Sequence, residues 1–208
     1  MDNSKNICSI FSEKAKAVSA VVTKVPTIQA AFEYAADLCR QNDPVSGQAV
    51  KNGTPPPQNQ GPRSVETQKI VAAPGLDSGL YAEFEKICGA NDLTLTNKGL
   101  RDHLTGVAMG FTIADYGIAE TGTLVINCPS EELRLSTMIC DIHVAVLPMS
   151  RIRKSAYDLE PELTKMFKNS PDYTSFITGA SRTADIERVL ALGVHGPLEL
   201  HILLMEEK

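Results

Sequence analysis

The chain has 208 residues, 43% of them apolar, with a formal net charge of −5 and a pI near 5.4. That length suits one domain with room for a small appendage. The acidic balance excludes nonspecific binding to nucleic acid or anionic membrane, which needs a basic field that the short run Arg151, Arg153 and Lys154 does not supply.

From Ile10 to about Arg40 the pattern is helical, with Phe32, Ala35, Ala36 and Cys39 recurring at three- and four-residue spacing. Pro26 and Thr27 are expected to separate two helices and to cap the second. Residues 1–42 therefore read as an N-terminal helical extension. Residues 43–64 differ: Pro44, Gly47, Gly53, Pro55, Pro56, Pro57, Gly61 and Pro62 break regular structure and predict a linker or flap. The remainder, 65–208, alternates strand and helix signals.

Strands are predicted over 67–73, 93–96, 123–127, 143–147, 173–178 and 198–205, where β-branched and aliphatic residues concentrate. Helices are predicted over 79–88, 100–108, 131–139 and 156–168, with Pro129 and Ser130 at the start of the third, and a helical turn over 183–191. Strands separated by helical runs predict an α/β fold: a mainly parallel sheet flanked by helices.

Cysteine usage is plain. Cys8, Cys39, Cys88, Cys128 and Cys140 are scattered, with no CxxC pair. That argues against a disulfide scaffold and against an iron–sulfur or zinc site made by this chain alone, and predicts reduced thiols in the cytoplasm. The N-terminal stretch lacks the apolar core of a signal peptide, and no run of 18 apolar residues predicts a membrane span.

Two polar constellations interrupt the apolar pattern. The first is Asp115, Glu120, Thr121, Gly122 and Thr123, followed by Arg134. A carboxylate in such a segment needs a partner, because burying one unpaired costs several kcal/mol. Glu120 either pairs with Arg134 or turn amides, or serves a ligand, or acts as nucleophile or general base. Gly122 offers a backbone angle closed to other residues, or close approach of a ligand to the amides. The second is Gly179, Ser181, Arg182 and Thr183, with Asp185 and Glu187 beyond them. A glycine turn after a strand, followed by hydroxyls and a guanidinium, can hold a phosphate or carboxylate; the same residues can simply cap a helix. The stretch is neither a Walker loop nor a GxGxxG fingerprint.

Among the histidines, His143 begins an apolar strand and reads as a satisfied core residue, and His201 is expected on a strand surface. His195 sits between glycines in GVHGP and is the better site candidate. No HExxH or comparable metal signature occurs. Both constellations are expected at the carboxyl ends of strands, where α/β folds usually bind ligands.

Four stretches carry a resemblance: GFTIADYGIAETGT at 110–123, RLS at 134–136, GASRTADIE at 179–187 and GVHGP at 193–197. In order and wording they resemble the LUD-domain family, in particular its lactate utilization protein C branch, over about 67–206. The resemblance implies the fold shared by sugar-phosphate isomerases and CoA transferases. It further implies an accessory subunit of a cytoplasmic L-lactate oxidation system, with an iron–sulfur protein and a second redox subunit as partners and no cluster on this chain. Some CoA transferases use a glutamate near glycine as acyl acceptor, and Glu120-Thr121-Gly122 looks superficially similar, so an acyl- or CoA-transferase activity is the enzymatic alternative. A small-anion sensor is the third reading.

Overall fold

The computed structural model describes residues 2–41, 69–168, 173–183, 191–192 and 196–206. The expected linker at 43–64, together with Asp185, Glu187 and His195, lies outside the described residues.

Helix α1 (Asp2–Ala17) turns Cys8, Phe11 and Ala15 inward, and Ser19, at φ 69°, closes it. A strand follows, β1 (Ala20–Val25), and then α2 (Ile28–Gln41), which buries Phe32, Ala35, Ala36 and Cys39. Thr27 caps α2 as expected, its Oγ1 accepting from Ala30 N at 3.2 Å. What Pro26–Thr27 separates, however, is a strand from a helix. The AVVTKV sequence of β1 is β-branched and pairs along its length with the last strand, so the helical reading of 10–40 is interrupted. The N-terminal segment is thus a working part of the sheet layer, not an appendage.

Next come β2 (Ile70–Ala72), α3 (Ser78–Gly89) and β3 (Thr94–Thr96). Asp77 caps α3, its Oδ1 accepting from Gly79 N and Leu80 N, each at 2.9 Å. Asp77→Ala should lower stability by about 1 kcal/mol, seen as a lower urea midpoint at unchanged m-value.

The helix expected over 100–108 is a single 3-10 turn, Leu100–His103, before β4 (Val107–Ile113). Tertiary pairing decides this. β4 lies between two neighbouring strands and is buried on both faces, so it shows no alternation. A hairpin, β5 (Tyr116–Ile118) and β6 (Thr123–Cys128), leads to α4 (Glu131–Ser136). Ser130 caps α4 by accepting from Leu133 N at 3.3 Å. The chain continues with β7 (Cys140–Pro148), β8 (Ile152–Arg153), a 3-10 turn at Tyr157–Leu159 and α5 (Glu160–Met166).

β9 (Tyr173–Ile177) follows, and β12 (Glu199–Met205) is the last strand. Between them, the expected helical turn at 183–191 begins and ends in strands instead: β10 (Arg182–Thr183) pairs antiparallel with β11 (Ala191–Leu192). Residues 184–190 lie outside the described set.

Six strands form one sheet in the order β1-β12-β7-β4-β2-β3, and every pairing in it is parallel. A second sheet, β8-β5-β6-β9, packs on one face together with α1, while α2 and α3 cover the other. Alternation along β7 makes the division: Ile142, Val144 and Val146 join Phe32, Phe84 and Phe111, whereas Ala145 and Leu147 join Phe11, Leu124 and Ile126. His143 shares the second face, the one that meets the smaller sheet.

Candidate functional site

The two polar loops read from the sequence do meet. Thr121 Oγ1 lies 2.7 Å from Thr123 Oγ1, which lies 2.8 Å from Thr178 Oγ1, the residue before Gly179. This hydroxyl chain ties the turn after β5 to the turn after β9. The two glycines, at φ 67° and 75°, face the end of α1. A Cβ on Gly122 would stand 2.3 Å from Ala15 N, and one on Gly179 2.1 Å from Val18 O. Protein backbone, and not a ligand, lies in close approach to Gly122.

Glu120 is exposed and does not pair with Arg134. Its Oε1 accepts from Ala156 N at 3.0 Å while its own N–H donates to Lys154 O at 3.0 Å, so it pins the chain after β8. Asp115 likewise accepts from Asn127 N at 2.7 Å inside the hairpin, and burial pushes its carboxyl up. Arg182 is exposed on β10, Thr183 pairs through its backbone, and Ser181 donates its N–H to Pro197 O at 2.9 Å.

Arg134, at the end of α4, holds a different position. Its guanidinium lies over the Tyr173 ring, 5.3 Å from the centroid, and 3.5 Å from Glu131. Glu131 already takes a two-pronged contact from Arg101 at 2.7 and 2.8 Å, which holds its carboxyl below the ordinary range.

Tyr173 marks a half-open cavity of about 230 Å³ between the two sheets. His143 and Leu200, paired neighbours near the amino ends of β7 and β12, belong to the large sheet's side. Ser175 and Ile177 come from β9, and Gly179 and Ala180 from the turn after it. Met138, Tyr173 and Phe176, each about half exposed, form the rim. The cavity therefore sits at the amino ends of its parallel strands, opposite to the carboxyl-end placement expected. Of the predicted site residues, Gly179 lines it; Arg134 touches it only through the Tyr173 ring, and Glu120, Thr121, Gly122, Thr123, Ser181 and Arg182 do not line it.

His143 is the chemical centre of this cavity. It is fully buried, and its Nε2 lies 2.9 Å from Thr112 Oγ1, while no atom of the described residues pairs with Nδ1. Burial alone pushes the imidazole down to about 4, so it is neutral at physiological pH. Ser175 Oγ lies 3.5 Å from Cys128 Sγ, whose thiol burial pushes up. The histidine expected to be satisfied is only half so. Thr137 and Ser175 give no signal in the sequence, because the end of α4 and β9, far apart in the chain, must pack before they adjoin.

A parallel six-stranded sheet, flanked by helices and joined to a smaller β-layer around a histidine-floored cavity, defines an α/β domain. The chain belongs to the LUD-domain family, matching it over residues 8–205. Lactate utilization protein C of Halalkalibacterium halodurans is 31% identical over 103 residues, 48% of this chain and 45% of that relative. The protein of the same name from an Exiguobacterium strain is 34% identical over 103 residues, 48% of this chain and 44% of the relative. An uncharacterized protein of Neisseria meningitidis serogroup B is 35% identical over 103 residues, 49% and 44% of the two chains. The matched stretch thus spans less than half the length of each curated relative. These relatives support the lactate utilization protein C branch. The crystal structure of a DUF162 family protein from Deinococcus radiodurans has the same fold: TM-score 0.62 over 97% of this chain and 98% of that one, at 13% identity. Among the described residues, no helix is long and apolar enough to cross a membrane.

Proposed function

We propose that this chain is an accessory component of a cytoplasmic lactate-utilization system, acting with redox partner proteins in the oxidation of an organic acid. The family match, together with the names of the relatives, carries the reading. Five scattered cysteines without a CxxC pair favour placing iron–sulfur chemistry in a partner. Among the described residues, the cation best placed for a small carboxylate or phosphate-bearing ligand is Arg134, whose guanidinium lies over Tyr173 of the cavity. The acyl-transfer alternative gains nothing from Glu120, whose carboxylate anchors a neighbouring amide.

Anaerobic affinity purification of the tagged full chain from cells grown on L-lactate tests the role. An iron–sulfur protein should co-purify, and deletion of the chain should abolish growth on L-lactate. Complete lactate-oxidising activity in the isolated chain, or undiminished growth without it, would overturn the proposal.

A further inference from the structure

The cavity between the sheets makes chemical demands narrower than those of an anion site. Among the described residues, none of the side chains lining it carries a formal charge at neutral pH, since His143 is held neutral by burial. Its walls are mostly apolar, with Ile177, Ala180 and Leu200 inside and the rings of Tyr173 and Phe176 at the rim. One fully buried polar atom, His143 Nδ1, has no partner among the described residues, although the opposite ring nitrogen is engaged by Thr112 at 2.9 Å. A buried nitrogen of this kind is costly until something hydrogen-bonds to it. The described residues leave that place to an occupant of the cavity, a ligand or a solvent molecule.

Size narrows the class further. A dry apolar cavity of about 150 Å³ accepts a benzene ring, and this one is about 230 Å³. The volume suits a single ring with small substituents, and it lies just under the roughly 300–1,000 Å³ of sites for drug-sized molecules. Aromatic side chains at the rim favour stacking or edge contact with a flat ring.

We propose that the cavity binds one substituted six-membered ring whose uncharged carbonyl or hydroxyl oxygen pairs with His143 Nδ1. The proton on the imidazole decides between the two oxygens. If Thr112 donates to Nε2, then Nδ1 carries the hydrogen and meets a carbonyl, as in a quinone. If Nε2 donates to Thr112, then Nδ1 offers its lone pair and meets a hydroxyl, as in a phenol or quinol. The observations this rests on, an unpartnered buried nitrogen and an apolar space of ring size, are independent of the pathway role.

The test is titration of the full chain, labelled with 15N in its imidazoles, using three probes: duroquinone for the carbonyl, p-cresol for the hydroxyl and sodium L-lactate for a small charged acid. One ring probe should bind saturably and shift the His143 Nδ1 resonance, while lactate leaves that resonance in place. Two variants report separately. His143→Phe removes the nitrogen while keeping a ring in the core, and Ser175→Phe fills the space while leaving His143 intact. Each should weaken ring binding at least tenfold. Should His143→Phe fail to fold, Ser175→Phe alone decides. The proposal is overturned if neither ring probe moves the Nδ1 resonance, if lactate alone moves it, or if Ser175→Phe binds the ring as tightly as the parent. The first of these outcomes would leave a solvent molecule as the partner of Nδ1.

Discussion

Gly179→Val is expected to destabilise the protein by about 3 kcal/mol or more, the sum of backbone strain and overpacking. At φ 75° a β-branched residue is forced into the left-handed region, which is costly even in open space. The space is not open: its Cβ would meet Val18 O at 2.1 Å, and Val18 C and Cβ at 3.1 Å. Val18 follows the last turn of α1, so relief requires the helix to move off the sheet and expose Phe11 and Ala15. Gly122→Val should behave alike, since its Cβ would fall 2.3 Å from Ala15 N. Gly89, at the end of α3 with nothing within 4 Å of an added Cβ, supplies the control. Gly89→Ala should leave stability unchanged or raise it by up to about 1 kcal/mol. Urea unfolding followed by circular dichroism separates the three. A Gly179→Val protein with the parental midpoint would show that α1 is not held where these glycines place it.

Those two glycines also show how far the sequence could be read. Gly122 takes the unusual backbone angle its sequence setting led us to expect, and Gly179 makes the expected turn after a strand. Which backbone approaches is a tertiary fact, and it is the helix from the chain's own beginning. The last strand and the central strand His143-Val-Ala-Val-Leu were legible because aliphatic runs bounded by turns have few other uses. β1 was not, because AVVTKV lies between two strong helical patterns that appear to merge across six residues. Thr123 and Thr178, 55 residues apart, meet around a packed hydroxyl chain and not a cavity. The cavity itself escaped because its polar atom belongs to a histidine on an apolar strand, a setting in which satisfied core residues are the rule.

That histidine provides the second large effect. A group whose folded value lies at about 4, against an ordinary 6.5, makes stability depend on pH in one direction. Above about 6.5 the imidazole is neutral in both states and its contribution is fully present. As pH falls toward 4, the unfolded chain takes up a proton that the folded chain refuses, so the folded state loses ground with each unit. Integrated across that window the loss reaches roughly 3 kcal/mol, and it levels off once the folded imidazole protonates as well. Carboxylates titrate in the lower half of the same window, so the quantity to measure is a difference between proteins. His143→Gln keeps an amide able to reach Thr112 and cannot titrate. The stability gap between it and the parent, measured by urea unfolding at steps between pH 7 and 4, should shift in favour of the variant as the solution is acidified. A gap constant with pH would mean that the buried imidazole accepts a proton as readily as a solvated one, and with it would go the neutral floor on which ring binding depends.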